Sequence, residues 1–375
     1  MNNIVFCSCF IGTCNQLSRS TTTVANNKFI IRTSKLDFNP QVFIMPPARF
    51  TGSPDLIMKI ASIICITVLI TLSCNAQKAK AKQKEAVKNP TWTDAAIATK
   101  EHTQFKWIGE YKDADGKHFH QVTSLKDGKY LVTSYQTGLP GRGWKKTTAA
   151  TSKIFSQKEL EKLLIKSEKI QFKSPTMAKK TPKEATLVMP SGFTNIKGGL
   201  LLAGGKTTKD VGSFKMHLEF MLPFKPDRNP SNQDKGNSGI YIYNNYEIQV
   251  LDTFALDYSS KEHPIKLESK MTQWCGCLYK MKIADTNMGL PPLVWQTYDI
   301  EFIAPEFDGD KKIKNAIVTV VHNGVKIHDK VELKTGTGAG AKRPQLAQGP
   351  ILFQNHGNPT VYRNVWIVET DKVNQ

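Results

Sequence analysis

Two short runs carry side chains whose types and spacing suit chemistry on a polyhydroxylated substrate. They are Ile240-Tyr-Ile-Tyr243 and Tyr246-Glu-Ile-Gln-Val250. A strand turns successive side chains to opposite faces. Ile240, Ile242, Ile248 and Val250 therefore form an apolar face, and Tyr241, Tyr243, Glu247 and Gln249 form a polar-aromatic one. Aromatic rings pack on the apolar faces of sugar rings, and carboxylates and amides bind hydroxyls. A carboxylate among them can also act as a general base. The same alternation describes an ordinary solvent-facing side of an antiparallel sheet, so the pattern leaves both readings open. Met216 to Phe220 alternates too, sending Met216, Leu218 and Phe220 one way and His217 and Glu219 the other.

These runs lie where nearly every segment reads as strand: Phe214 to Met221, Gly239 to Tyr243, Tyr246 to Leu251, Thr297 to Ile303, Ala316 to Val321, Val325 to Ile327, Ile351 to Gln354 and Val365 to Val368. Asn323-Gly324 between two β-branched runs predicts a type I′ hairpin. Many short strands separated by turns, with no helical period, predict an all-β sandwich or jelly roll over residues 185–370. Ahead of it, residues 91–175 read as a small, mostly β domain. Phe105 to Lys112 and His118 to Leu125 alternate, Lys126-Asp-Gly-Lys129 marks a tight hairpin, and Tyr130 to Tyr135 returns. Ser156 and Glu159 form a capping box that predicts a short helix. His118 and His120 share one strand face and read as surface. Ser174 to Pro182 is a Pro/Lys connector.

The start of the chain reads as an address. Met58-Lys59 precedes an apolar run from Ile60 to Leu72, short for a membrane span and suited to a signal peptide. Residues 58–77 therefore predict export, to the periplasm or outer surface of a bacterium. Cleavage before Cys74 would leave a lipid-attached cysteine, and cleavage after Ala76 would give a soluble protein beginning at Gln77; both stay open. Residues 1–57 make little sense upstream of a signal and read as a non-native extension, with translation starting at Met58. Residues 78–90 form a Lys-rich linker.

Composition removes several function classes. The net charge is +19 over 375 residues, but the excess is spread through the linker and along strands rather than organised as a nucleic-acid module. Of seven cysteines only Cys275 and Cys277 lie in the sandwich region, with no second pair for a metal site, and they read as buried thiols. Gly205-Lys206-Thr207 is not a P-loop, because residue 200 is Leu. No serine-hydrolase elbow or zincin motif occurs.

Several blocks then fall in order over the second half of the chain. Asn237-Ser-Gly-Ile-Tyr-Ile-Tyr243, Tyr246-Glu-Ile-Gln-Val-Leu-Asp252 and Cys275-Gly-Cys-Leu-Tyr279 come first. Trp295-Gln-Thr-Tyr-Asp-Ile-Glu-Phe302, His322-Asn-Gly-Val325 and Gly349-Pro-Ile-Leu-Phe-Gln-Asn-His-Gly-Asn-Pro-Thr-Val-Tyr-Arg-Asn-Val-Trp366 follow. Together they resemble the 3-keto-disaccharide hydrolase domain family, a concanavalin-like sandwich. Met189-Pro-Ser-Gly192 stands where the family often has a Phe-Asp-Gly segment.

The resemblance implies an oligosaccharide or glycoside substrate already oxidised at C3. A ketone there acidifies the hydrogen on C2, so a base can remove it. The resulting enolate expels the C1 substituent and water adds. One base, a holder for the enolate oxygen and a proton donor suffice. Paired carboxylates of ordinary glycosidases are not required. On this reading Glu247 or His356 is the base, and Glu219 and Asp252 are substrate or metal ligands. Gln249 and Arg363 polarise the keto oxygen, and Tyr241, Tyr243 and Gln354 complete the substrate site. A divalent metal could serve as Lewis acid. The alternatives are a non-catalytic carbohydrate-binding sandwich and a conventional glycoside hydrolase. Contact with a membrane is expected only through a lipid anchor at Cys74.

Overall fold

The computed structural model describes residues 90–260 and 262–370, together with the strand backbones within residues 6–44. The chain forms two compact units, Met1–Gln83 and Lys84–Gln375. In the first, strands Phe6–Ile11, Ser18–Ala25, Lys28–Ser34 and Phe43–Ile44 pair in sequential order. The signal-like segment 58–77, Cys74 and the linker up to residue 89 lie outside the described residues, as does the rest of 1–57.

The second unit opens with helix α1 (Ala95–Glu101), where Asp94 caps the N-terminus by accepting a hydrogen bond from Ile97 N at 2.9 Å. Asp at an N-cap ahead of Ala-Ala-Ile is a start signal that the strand-dominated reading passed over. Phe105–Trp107, expected to be extended, is a 3₁₀ turn.

A five-stranded antiparallel sheet follows: β1 (Gly109–Asp113), β2 (His118–Ser124), β3 (Tyr130–Gln136), β4 (Thr151–Phe155) and β5 (Ser167–Ile170), in the order β4-β3-β2-β1-β5. The hairpin at Asp127-Gly128 places both residues at positive φ, 59° and 71°. Helix α2 (Gln157–Leu164) carries the expected capping box and buries Leu160 and Leu164 against Tyr111, Val122, Tyr130 and Val132. His120 is buried rather than exposed, hydrogen-bonded to Ser134 Oγ at 2.8 Å and Asp113 at 3.2 Å. Leu125 and Leu131 from this sheet join the sandwich core, and Thr133 donates to Ala255 O at 2.6 Å.

The rest is an all-β sandwich. The larger sheet combines β6 (Leu187–Val188), β7 (Ile196–Lys197), β8 (Leu200–Leu202), β9 (Phe214–Met221), β10 (Gln296–Ile303), β11 (Ala316–His322), β12 (Val325–Leu333) and β13 (Val361–Glu369). Its order is β7-β8-β13-β9-β10-β11-β12, with β6 also pairing to β13. The second sheet has three strands. They are Ser238–Ile242 in the middle, Tyr246–Val250 on one side and Ile351–Phe353 on the other, called here the 238, 246 and 351 strands. Asn323 and Gly324, at φ 50° and 83°, make the predicted tight turn between β11 and β12.

The core lies between the two sheets. Phe214, Met216, Leu218 and Phe220 point inward from β9, and Ile240, Ile242, Ile248 and Val250 meet them from the facing sheet. All are at most 2% exposed. Burying one such side chain contributes roughly 1.5–3 kcal/mol, enough for the apolar alternation to set which face of each strand turns inward. Cys275 and Cys277 are buried free thiols, as expected, and burial pushes the Cys275 thiol up to about 11.

Candidate functional site

The outward face of the three-stranded sheet is where the sequence-derived residues gather. Register sets Tyr241 beside Glu247 on one side and Leu352 on the other. Gly239 lies beside Gln249, and Gln354 N donates to Gly239 O at 2.8 Å. The segment after Gly276 extends this sheet along the free edge of the 246 strand. Gln249 N donates to Cys277 O and Tyr279 N to Glu247 O, both at 3.0 Å. Directly opposed residues share a face. One row therefore runs Leu352, Tyr241, Glu247, Tyr279, and the next runs Gln354, Gly239, Gln249.

Glu247 is 1% exposed. Its carboxyl lies over Gly239, where a Cβ would come within 2.5 Å of Oε1. Burial raises its pKa to about 7, although a hydrogen bond with Tyr241 and the Lys280 ammonium both pull the other way. Burial and the Glu247 charge in turn raise the Tyr241 phenol well above its ordinary value. A buried carboxyl that ionises near neutrality is the state a general base needs.

Acceptors without donors converge on the same place. Glu247 Oε2, Gln354 Oε1 and Asn237 Oδ1 are buried with no hydrogen-bond partner. Ser238 turns inward to bond Tyr362 at 2.6 Å, so alternation sets Asn237 outward with Gly239. A buried polar atom left unsatisfied costs about 1–3 kcal/mol. A face that keeps several acceptors unpaired suits a ligand rich in hydroxyl donors.

The wall beyond Tyr279 comes from residues 337–343. Glu247 N donates to Thr337 Oγ1 at 2.7 Å, and Thr337 N donates to Asn245 O at 2.8 Å. Arg343 Nη1 donates to Asn244 O at 2.9 Å. Gly338, at φ 45°, lies so close to Tyr279 that a Cβ would sit 2.7 Å from its ring.

Other expected site residues lie elsewhere. Tyr243 is a correction. Its φ is 55°, which breaks the alternation at the turn and drives the ring into the core, 5.2 Å from Phe302. Its hydroxyl donates to Gly212 O at 2.6 Å. Gln249 is on the site face, but its Nε2 donates to Gln273 O at 3.3 Å and its Oε1 accepts from Val250 N at 3.1 Å. Asp252 lies past the strand end, 3.8 Å from the buried Lys235 ammonium. Burial raises the Asp252 pKa and lowers that of Lys235. His356 is exposed in the loop after Phe353.

Glu219 and Arg363 form a separate cluster on the outward side of the larger sheet, across the core from Glu247. Arg363 Nε donates to Glu219 Oε2 at 2.7 Å and its guanidinium covers Trp295 at 3.9 Å. Ala178 N, from the Pro/Lys connector, donates to Glu219 Oε1 at 2.7 Å. Burial opposes ionisation of Glu219, but hydrogen bonds from His217, Asn364, Arg363 and Ala178 overcome it and hold the carboxyl at about 2. Alternation on β9 placed Glu219 away from its own strand's apolar face, correctly. It could not show that the core then separates Glu219 from Glu247.

Among the described residues the carboxylates do not assemble a metal site at Glu247. Among the described residues, one group of His, Asp and Glu side chains has its ligand atoms within 4.8 Å of one another: Asp113, Asp115 and His118, at the turn between β1 and β2. Glu247 belongs to no such group, Glu219 is saturated by donors, and Asp252 faces a lysine. These residues do not fit a shared divalent cation.

A family model for the 3-keto-α-glucoside-1,2-lyase-like domain matches residues 123–368. The chain belongs to this family. The 3-keto-α-glucoside-1,2-lyase-like domain thus begins within β2 and runs through nearly all of β13, taking in most of the five-stranded sheet and the whole sandwich. Membership makes the domain carbohydrate-active. Among solved structures, the chain is similar to two candidate glycosyl hydrolases from Parabacteroides distasonis. One is 27% identical, with 48% of this chain and 79% of that chain covered and a TM-score of 0.39. The other is 19% identical, with 48% and 84% covered and a TM-score of 0.34. No curated protein matches the chain.

Asn237, Gly239, Tyr279, Thr337 and Arg343 were not among the expected site residues. Gly239 did leave a signal, since a lone glycine inside a β-branched strand marks a close approach. Tyr279 stood in a block that carried the family resemblance. Thr337 and Arg343 come from a loop with no strand period.

Proposed function

We propose that this domain cleaves the glycosidic bond of 3-keto-glycosides with Glu247 as the base. The observation that carries the reading is the buried Glu247 carboxyl over Gly239, opposite Tyr241 in register and ionising near neutrality. The carboxylate takes the proton from C2. The C–H electron pair becomes the C2–C3 double bond and the carbonyl pair moves onto the C3 oxygen. When the enolate collapses, the bond from C1 to its substituent breaks and the departing oxygen recovers a proton from Glu247. Water then adds to the unsaturated sugar. Gln354 and Asn237 accept hydroxyls that hold the ring, and Tyr279 offers a surface for it.

Family membership supports the substrate class. The groups acting on Glu247 are Tyr241 and Lys280, with no second carboxylate among them. That favours elimination over a retaining glycosidase, which pairs two carboxyls about 5–5.5 Å apart. His356 is exposed in the loop after the 351 strand, outside the row that carries Glu247. The signal-like run from Met58 to Ala76 supports action after export.

The test is incubation with paired 3-keto and unoxidised disaccharides, with and without chelator, using wild type and Glu247→Gln. Wild type should cleave the keto member, and the variant should lose about 10²–10⁴-fold in turnover while remaining folded. Full turnover by the variant removes Glu247 from the mechanism. Folded wild type that binds the sugars without cleaving any would favour the binding-module reading.

A further inference from the structure

Removing a proton beside a ketone places a negative charge on its oxygen, and something must hold that charge. Arg363 lies across the core from Glu247. The Gln249 amide is bonded to protein at both ends. Gln354 and Asn237 present unpaired oxygens, which repel an oxyanion. The acceptor-lined side of the site offers no anion holder among the described residues.

Two cations lie beside the Tyr241–Glu247 pair, Lys280 acting on Glu247 and Arg343 on Tyr241. Lys280 follows Tyr279, Glu247's neighbour in the row, and its ammonium lies 5.3 Å from the Tyr279 ring centre. Arg343 is bonded to Asn244 O, in the turn joining the strands that carry Tyr241 and Glu247. The loop bearing Arg343 is fixed by further bonds: Asn245 Nδ2 donates to Gly340 O at 3.3 Å and to Pro344 O at 3.0 Å. Both cations are exposed, and neither forms an ion pair with a carboxylate among the described residues. Some other cations of the sandwich are committed, such as Lys225 to Asp234 at 2.8 Å and Lys179 to Asp299 at 2.8 Å.

We infer that Lys280 and Arg343 are catalytic residues that hold the C3 oxygen as it becomes negative. This rests on the reading of Glu247 as the base. It also fixes substrate orientation. The ring hydroxyls lie toward Asn237 and Gln354, and the ketone, which has no proton to donate, lies toward the cations. No oxidant or co-reactant is needed, because the electron pair released at C2 stays within the substrate until the C1 bond breaks.

The experiment compares Lys280→Gln, Lys280→Arg, Arg343→Gln and Glu247→Gln on a 3-keto disaccharide across pH, with thermal melting of each. Lys280→Gln and Arg343→Gln should each lower kcat by about 10- to 10³-fold with unchanged melting, and Lys280→Arg should recover part of the loss. Lys280→Gln should also move the acidic limb of the kcat/KM profile to higher pH, which a packing role would not do. Wild-type kcat in both cation variants, with Glu247→Gln inactive, overturns the assignment and leaves the base intact. An active Glu247→Gln overturns both.

Discussion

The Glu247 carboxyl occupies the space that a side chain at position 239 would need. A Cβ at Gly239 would stand 2.5 Å from Glu247 Oε1 and 3.1 Å from its Cγ. The backbone at 239 is ordinary extended strand, so alanine is sterically allowed except for this contact. Gly239→Ala should therefore displace the carboxyl and leave the fold in place. We expect a loss of turnover on the order of 10²-fold, as for a misplaced catalytic group, with about 1–3 kcal/mol of overpacking cost in a denaturant titration. Unchanged turnover would show that the carboxyl need not lie over Gly239.

The raised pKa of Glu247 also predicts how stability varies with pH. The folded-state value is about 7 and the ordinary one 4.5, so the folded protein binds the extra proton between them. Stability from this group is fully present below about 4.5 and is lost as pH rises through 7. The full span corresponds to about 3 kcal/mol. Glu247→Gln removes that dependence and should be more stable than wild type at pH 8, with the gap closing toward pH 4.5. Chemical denaturation at several pH values measures this. A variant less stable than wild type at pH 8 would contradict the burial of an ionised carboxyl.

Arg363 tests the separation of the two faces. Its partners Glu219, Trp295 and the connector bearing Ala178 lie on the outward side of the larger sheet. Arg363→Met should cost about 1–3 kcal/mol, because it leaves the Glu219 carboxylate short of a donor. Discounting for the guanidinium's 41% exposure puts the effect at the lower end. Turnover of a 3-keto substrate should stay within a few-fold of wild type. A large loss of turnover without loss of stability would return Arg363 to the site.

Much of this arrangement was legible in the sequence because burial enforces period two. Ile240, Ile242, Ile248 and Val250 point into the core, so Tyr241, Glu247 and Gln249 must point out. Tyr243 escaped the pattern because a positive φ ends the alternation one residue before the turn is visible in composition. Glu219 and Arg363 were misplaced for a different reason. Alternation gives the side of a residue's own strand, and only the stacking of two sheets shows that their outward faces are opposite sides of the molecule. Arg343 had no periodic signal. It reaches the site through loop bonds to Asn244 and Asn245 from far along the chain.

Isotopic substitution at the scissile centre tests the central claim most directly. Wild-type protein would be given a 3-keto disaccharide carrying hydrogen or deuterium at C2, alongside the unoxidised parent. If Glu247 removes the C2 proton, the deuterated substrate is cleaved more slowly, the parent is not cleaved, and Glu247→Gln cleaves neither form at an appreciable rate. Equal rates for both isotopic forms, together with cleavage of the unoxidised parent, would contradict elimination and point to a conventional glycoside hydrolase.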